Sequence, residues 1–379
     1  MKFWPLLFAN LKRKKTRTIL TIGSFAVTLF LFGLLVTIHT AFNQGVDVAG
    51  TDRLLTLNKV SLTQPLPLSY RERILQVEGV KSVTFATWFG GVYQDEKNFF
   101  PQFCIETDTW LKIYPEFVVP QEQWAAFLAD REGSIVGRGT LDRFKWKVGD
   151  RIPLKASIWG GVWEFNIRGV YEGKRKEDDV SQMWIRWDYW NERTPFGKGT
   201  VGWYILKVDN AENSPRIVKA IDEKFANSPW ETKTETEKAF ATAFVRQMGN
   251  IKLLILTIGA VVFFTLLLVT GNTMALAIRE RTGEFAVLKT VGFTDISILA
   301  LILIESLILA VLGGSLGLAL VKIFTLSGDP TKGLLPFFYL PPAQIALGLL
   351  ITIFVGLIAG IIPAILAMRL RIVDALRRI

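Results

Sequence analysis

The chain has 379 residues, half of them hydrophobic and 21% charged, with a formal net charge of +10. That apolar fraction excludes a disordered or fibrous chain, and its concentration in long runs excludes an ordinary water-soluble enzyme. Three runs, 18–46, 253–278 and 333–368, contain no Asp, Glu, Lys or Arg, and a fourth, 296–321, contains only Glu305. Each exceeds the roughly 20 residues that a helix needs to cross about 30 Å of hydrocarbon. Four membrane-spanning helices are therefore predicted.

In chain order, residues 1–17 are a basic N-terminus and 18–46 the first span. Its apolar core is longer than the roughly 7 to 15 residues of a signal peptide, so it reads as an uncleaved anchor. An extracytoplasmic α+β domain is predicted at 47–248, inserted between the first span and a second at 249–278. A short helix at 279–295, a third span at 296–321, an outer loop at 322–342, a fourth span at 343–368 and a tail at 369–379 complete the chain. Gly328, Pro330, Gly333, Pro336, Pro341 and Pro342 mark that loop as a turn region.

Within the large domain, strands are predicted at 53–60, 80–87, 134–137, 151–156, 162–171, 182–187 and 203–208. Helices are predicted at 69–77, 121–130 and 214–225. The stretch 235–248 has helical periodicity and no Gly or Pro, which predicts a helix running on into the second span. Eleven of the twelve tryptophans fall in this domain, where large aromatics chiefly build cores.

The positive charge is not spread evenly. Segments 1–17, 279–295 and 369–379 hold 13 basic and 4 acidic residues, whereas 47–252 holds 29 basic and 28 acidic. Four crossings place those three short segments on one side of the bilayer, the positive-inside pattern, so both termini are expected to be cytoplasmic. A nearly neutral outer domain leaves no basic stripe for nucleic acid.

Several chemistries lack their residues. No phosphate-cradling G-x-x-x-x-G-K-[ST] occurs, and Gly197, Lys198, Gly199 and Thr200 lack its spacing. His39 is the only histidine and Cys104 the only cysteine, so neither a His/Cys zinc site nor an intramolecular disulfide is expected. Gly313, Ser315 and Gly317 spell G-x-S-x-G, but inside an apolar helix rather than on a strand-to-helix turn. Gly313 with Gly317 and Gly356 with Gly360 read as small-xxx-small packing or dimer positions. Glu305 is a functional candidate because an ionisable group inside a span is costly; the alternative is a solvated rim position or a pair with a polar neighbour. Asp178 and Asp179 leave room for a membrane-anchored outer enzyme, although a solvated loop accounts for them more simply.

The most specific segment follows the second span and reads R-E-R-T-G-E-F-A-V-L-K-T-V-G-F from Arg279. Phe285, Leu288 and Val291 form an apolar stripe suited to a groove on a cytoplasmic partner, or to the membrane surface. This segment, the basic start N-L-K-R-K-K-T-R-T-I-L-T-I-G, the G-G-S-L-G of the third span and the tail P-A-I-L-A-M-R-L-R-I-V-D-A-L together resemble the permease subunit of the FtsX/MacB/LolCE superfamily of ABC transporters. So does 135–154, which resembles the strand, short helix, V-G-D turn and strand of that family's outer domain.

The resemblance implies four spans per subunit, a dimer with a second or related permease, and a coupling helix against a separate ATPase dimer that binds ATP and Mg. It assigns Glu280, Arg281, Gly283, Glu284, Leu288, Lys289 and Gly292 to that contact, with Phe285 from the apolar stripe. No cofactor is expected in this chain, which is not itself an enzyme. The implied setting is the bacterial inner membrane, with a periplasmic adaptor and an outer-membrane channel as further partners. Only 17 residues precede the first span, so the ATPase is expected on another polypeptide. An outer domain larger than that of the division members favours export or lipoprotein release over an FtsX-like module that signals to cell-wall hydrolases.

Overall fold

The structure is a computed structural model and describes residues 14–48, 50, 52–175, 177–247, 251–327, 330 and 338–369. The chain divides into two compact units, Met1–Thr40 with Asn250–Gly328 and Phe338–Ile379, and Ala41–Gly249 with Asp329–Phe337.

Among the described residues, the first unit has four helices long and apolar enough to cross a membrane, at Lys15–Ala41, Lys252–Glu280, Asp295–Leu326 and Pro342–Met368. The third span starts where Thr294 accepts a hydrogen bond from the Ser297 amide at 3.2 Å, a side-chain N-cap. It continues through Lys322 to Leu326, so the first five residues of the outer loop read from sequence are helical. The rest of that loop, apart from Ser327, Pro330 and 338–342, lies outside the described residues, as do the basic segment 1–13 and the tail 370–379.

The spans meet through small residues. A Cβ added at Gly313 would lie 2.5 Å from the Ile22 carbonyl oxygen and from Phe25 Cβ of the first span, and one at Gly317 would collide with the Ala26 carbonyl. In the fourth span, Gly356 faces Ala310 and Gly360 faces Ser306, whose hydroxyl donates to the Gly356 carbonyl at 2.6 Å. All four glycines thus face helices of their own chain, where backbone approach replaces the hydrophobic drive that lipid cannot supply.

Among the described residues, the second unit carries a mixed sheet of eleven strands. Its order is β13 (Thr232–Thr236), β1 (Arg53–Asn58), β12 (Trp203–Val208), β3 (Val80–Trp88), β5 (Gln102–Ile105), β10 (Met183–Arg186), β7 (Gly133–Gly137), β9 (Val162–Gly173), β8 (Arg151–Ala156) and β4 (Gly91–Val92), with β6 (Phe117–Val118) on β9. Most neighbours are antiparallel, but β5 with β10 and β7 with β9 are parallel. β2 (Leu66–Pro67) and β11 (Thr200–Val201) form a separate pair.

Two apolar clusters fill the domain. One gathers Phe89, Trp163, Trp187 and Trp190, the other Ile105, Trp110, Tyr171 and Trp184. Tyr171 stacks on Trp184 with centroids 4.0 Å apart, and burial pushes its phenol well above its usual range. Of the tryptophans described, Trp230 is among the exposed large side chains, whereas Trp110, Trp146, Trp163, Trp184, Trp187 and Trp190 are core.

Strands 151–156 and 203–208 and helix 214–225 occur with the bounds read from sequence. The stretch 235–248 does not. Glu235 pairs with Leu55 and Thr236 with Leu54 at the sheet edge, because the β-branched Thr232, Thr234 and Thr236 favour a pleated edge over a helix. The helix runs from Glu237 to Gln247, and its continuity with the second span falls on 248–250, outside the described residues.

That helix is tied to the start of the sheet by charge. Arg53 on β1 reaches Glu237 at 2.6 Å and Glu116 at 2.8 Å, and its guanidinium lies 4.7 Å from the Tyr114 ring centroid. Tyr114 donates to Glu237 at 3.2 Å, and the Gly50 amide donates to the same carboxylate at 2.8 Å. Burial alone lowers the pKa of Arg53, but the Glu237, Tyr114 and Glu116 charges outweigh it and hold the guanidinium above its ordinary value. The two strands where the chain enters and leaves this domain are therefore locked side by side. Replacing Glu237 with Gln leaves a partly buried guanidinium short of one carboxylate and is expected to cost about 2 kcal/mol. Faster amide exchange across 53–58 and 232–236 in the full-length protein checks this; unchanged protection would show that the carboxylate contributes nothing.

Candidate functional site

The segment after the second span folds into a helix at Thr282–Thr290. It is closed by a two-bond cap, in which the Gly292 amide donates to Lys289 O at 3.1 Å and the Phe293 amide to Leu288 O at 3.0 Å. Gly292 adopts φ of 101°, a conformation that a side chain would strain. Leu288 and Phe293 pack against one core, the apolar contact that accompanies such caps. In this unit Gly292 thus has a definite role as helix terminator.

The faces of this helix differ from the sequence expectation. Phe285 is 0% exposed and packs with Ile278, Ile298, Leu301, Ile302, Ala364 and Ala367, with Leu288 at the edge of that cluster. Val287 and Val291 are 52% and 75% exposed. The single stripe Phe285, Leu288, Val291 is therefore corrected. At about 100° per residue, position i+6 has turned some 120° away from i, so Phe285 plugs the protein's own core while Val287 and Val291, four apart, share an outward face.

Ion pairs fix both ends of the helix. At its start, Arg281 reaches Glu305 of the third span at 2.9 Å and Glu284 at 3.2 Å, and its guanidinium lies over the Phe285 ring at 5.1 Å. Glu305 is only 4% exposed, so the alternative of a polar pairing describes its surroundings, and a solvated rim position does not. Arg17 of the first span stands 4.0 Å from Glu305 and 3.5 Å from Glu280, to which Lys14 also bonds at 2.5 Å. At the other end, Lys289 donates to the Met368 carbonyl at 2.7 Å and pairs with Asp295 at 2.7 Å. A cation at the last carbonyls of the fourth span also matches that helix's dipole.

Of the sequence-selected residues, Glu280, Arg281, Glu284, Phe285, Leu288, Lys289 and Glu305 are brought to one end of the bundle, and Gly283 lies in the first turn of the short helix. Lys14, Arg17 and Asp295 belong to the same cluster and were not singled out by sequence. The signal for Arg17 was present: it is the last cation before the first span, facing a chain with one intramembrane acid. The Lys289 bond to a backbone carbonyl has no sequence signal.

The acidic pair Asp178 and Asp179 is engaged by its own loop. Asp178 is buried, accepting from the Arg175 amide at 2.8 Å and from its guanidinium, while Asp179 accepts from Ser181 and Gln182. Both carboxylates build the loop, so the reading of the pair as a solvated loop is corrected for Asp178. G-x-S-x-G runs through unbroken helix with Ser315 exposed, and among the described residues no cluster of three or more His, Cys, Asp or Glu forms a metal site.

Residues 256–372 match the family described as FtsX-like permease C-terminal. The chain carries an FtsX-like permease domain. Over 98% of its length it is 22% identical to an ABC transporter permease of Methanocaldococcus jannaschii, covering 96% of that protein. It is 24% identical to the ABC transporter permease YknZ of Bacillus subtilis, over 59% of this chain and 57% of that one. It is also 35% identical to the macrolide export ATP-binding/permease protein MacB of a Shewanella strain, over 28% of this chain and 16% of that one. The chain thus spans nearly all of the first relative and much less of the others. The periplasmic region of MacB from Actinobacillus actinomycetemcomitans aligns over 53% of this chain and 95% of its own, at 14% identity and a TM-score of 0.39. The family match takes in most of the second span and the whole third and fourth spans, and the relatives that this chain resembles are ABC transporter permeases.

Removing the Glu305 carboxylate leaves Arg281 with Glu284 alone at a site where only 12% of its side chain is exposed. Glu305→Ala is expected to lower stability by about 3 kcal/mol. Faster trypsin cleavage after Arg281 and a lower melting temperature in detergent check this; a variant as resistant as the parent would remove the pair from the account.

Proposed function

We propose that this chain is the membrane subunit of a complex in which a separate ATPase dimer, binding ATP and Mg, drives conformational work on the far side of a cytoplasmic membrane. Both termini and the helix Thr282–Thr290 lie on the cytoplasmic side in this reading, which the positive-inside charge distribution supports. A second permease copy or a related permease completes the membrane part, and a periplasmic adaptor with an outer-membrane channel is a further partner where the envelope has two membranes. The substrate class is hydrophobic, peptide or lipid-like, and the outcome is export or extraction, favoured over pure mechanotransmission by the size of the outer domain.

The observation that carries this reading is a short helix held at both ends and exposed on one side. Arg281–Glu305 and Lys289–Met368 O join it to the third and fourth spans, so a push on Val287 and Val291 is delivered to those helices instead of to a loose loop. Glu280 and Arg17 extend the connection to the second and first spans. Glu284, half-exposed on the same helix, supplies a charge at the contact. Val287→Asp with Val291→Asp is expected to leave the protein inserted and folded while reducing permease-stimulated ATP hydrolysis by roughly tenfold or more, the cost of an unpaired charge in an apolar interface. Phe285→Ala is expected instead to cost about 3 kcal/mol of stability. Stimulation that survives both aspartates would refute the docking face.

A further inference from the structure

The first and second spans leave a groove of about 350 Å³ lined by Thr16, Arg17, Thr21, Ser24, Thr270 and Thr273, with Leu20 and Val269. A cleft between membrane helices ordinarily presents hydrocarbon; this one presents five hydroxyls and a guanidinium. On the second span, Thr257, Thr265 and Thr273 each donate their hydroxyl to the carbonyl four residues earlier. Thr270 does not: it is 1% exposed, and its hydroxyl has no hydrogen-bond partner among the described residues. A buried donor left unmade costs the desolvation of that group, so the position calls for an acceptor.

The two ends of the groove ask for different chemistry. Arg17 sits in the first turn of a helix that starts at Lys15, where the backbone dipole also favours an anion. Its acidic neighbours, Glu280 at 3.5 Å and Glu305 at 4.0 Å, are both long contacts, and Glu305 is already bonded to Arg281 at 2.9 Å. A guanidinium has five donors in a fork that fits a phosphate. Seven residues further along the helix, about 10 Å at 1.5 Å per residue, Ser24 and the Thr270 hydroxyl mark the neutral end. In a glycerophospholipid the phosphate comes first and the ester carbonyls, acceptors without donors, lie between it and the acyl chains. That order of groups matches the groove.

We propose that this groove holds the head region of one anionic glycerophospholipid of the leaflet at the Arg17 end, with its phosphate on Arg17 and an ester carbonyl accepting from Thr270. Lys14 and Lys15, both exposed, add positive charge beside the phosphate position. The acyl chains continue along the lipid-facing surface of the second span, where Leu268, Phe264 and Val261 are exposed.

Native mass spectrometry of the full chain, delipidated in mild detergent and titrated with phosphatidylglycerol or with a phosphate-free diglucosyl diacylglycerol, tests the assignment. Phosphatidylglycerol is expected to bind more tightly than the glycolipid, and Thr270→Val to weaken it about fivefold, the worth of one hydrogen bond. Thr270→Ser keeps the hydroxyl and is expected to bind as the parent does, as is Thr265→Val, which lies outside the groove; these two separate loss of the donor from loss of folding. Equal binding of both lipids, or parental affinity in Thr270→Val, overturns the proposal. So does efficient disulfide formation between Ser24→Cys copies in native membranes, which would mean that a second copy covers the groove.

Discussion

A carboxylate inside a membrane helix must be neutralised or paired, and Glu305 sets the arrangement of everything at its end of the bundle. It is reached by a guanidinium from the short helix that follows the second span and approached by another from the first span. Three segments far apart in sequence are thereby fixed around one group that none of them can leave without exposing a charge to hydrocarbon. Such a pair is weak evidence for added stability, since its desolvation is costly; its consequence is register. It determines which turn of each helix faces which neighbour, and the small residues above it then allow the spans to approach.

The same physical device recurs in the outer domain with Arg53 at its centre. There two acids and a tyrosine converge on a cation beside the points where the chain enters and leaves the sheet. Within each unit, then, charge is placed where chain segments must keep their alignment, while aromatic and aliphatic packing provides the bulk of the core. The loop closed by Asp178 and Asp179 uses both carboxylates to hold its own backbone.

The four spans were legible because long uncharged runs have no other stable solution, and the strands 151–156 and 203–208 because their alternation or apolar content is sharply bounded. The short strands β4, β6 and β11 and the helix Trp110–Ile113 were not, since two to four residues carry no period and acquire structure only from a partner. Glu235 and Thr236 read as helical in sequence because their neighbours downstream are helical; pairing with Leu55 and Leu54 overrides that local preference. In the site, residue types pointed to the right segment but not to its faces. Spacing alone placed Phe285, Leu288 and Val291 together, whereas the choice of which side turns inward depends on Ile298, Leu301 and Ala364, which come from later in the chain. Lys289 was selected as a contact residue, and its bond to a carbonyl at the end of the fourth span was invisible because any residue supplies that carbonyl.

The division of the short helix into an anchored face and a presented face is the central claim. The most direct measurement is photo-cross-linking from single positions of this helix in the complex assembled with the proposed ATPase. A photoreactive side chain at 287 or 291 is predicted to yield adducts with the ATPase subunit, and one at 285 only adducts within the permease. Adducts with the ATPase from 285, together with none from 287 or 291, would contradict the account.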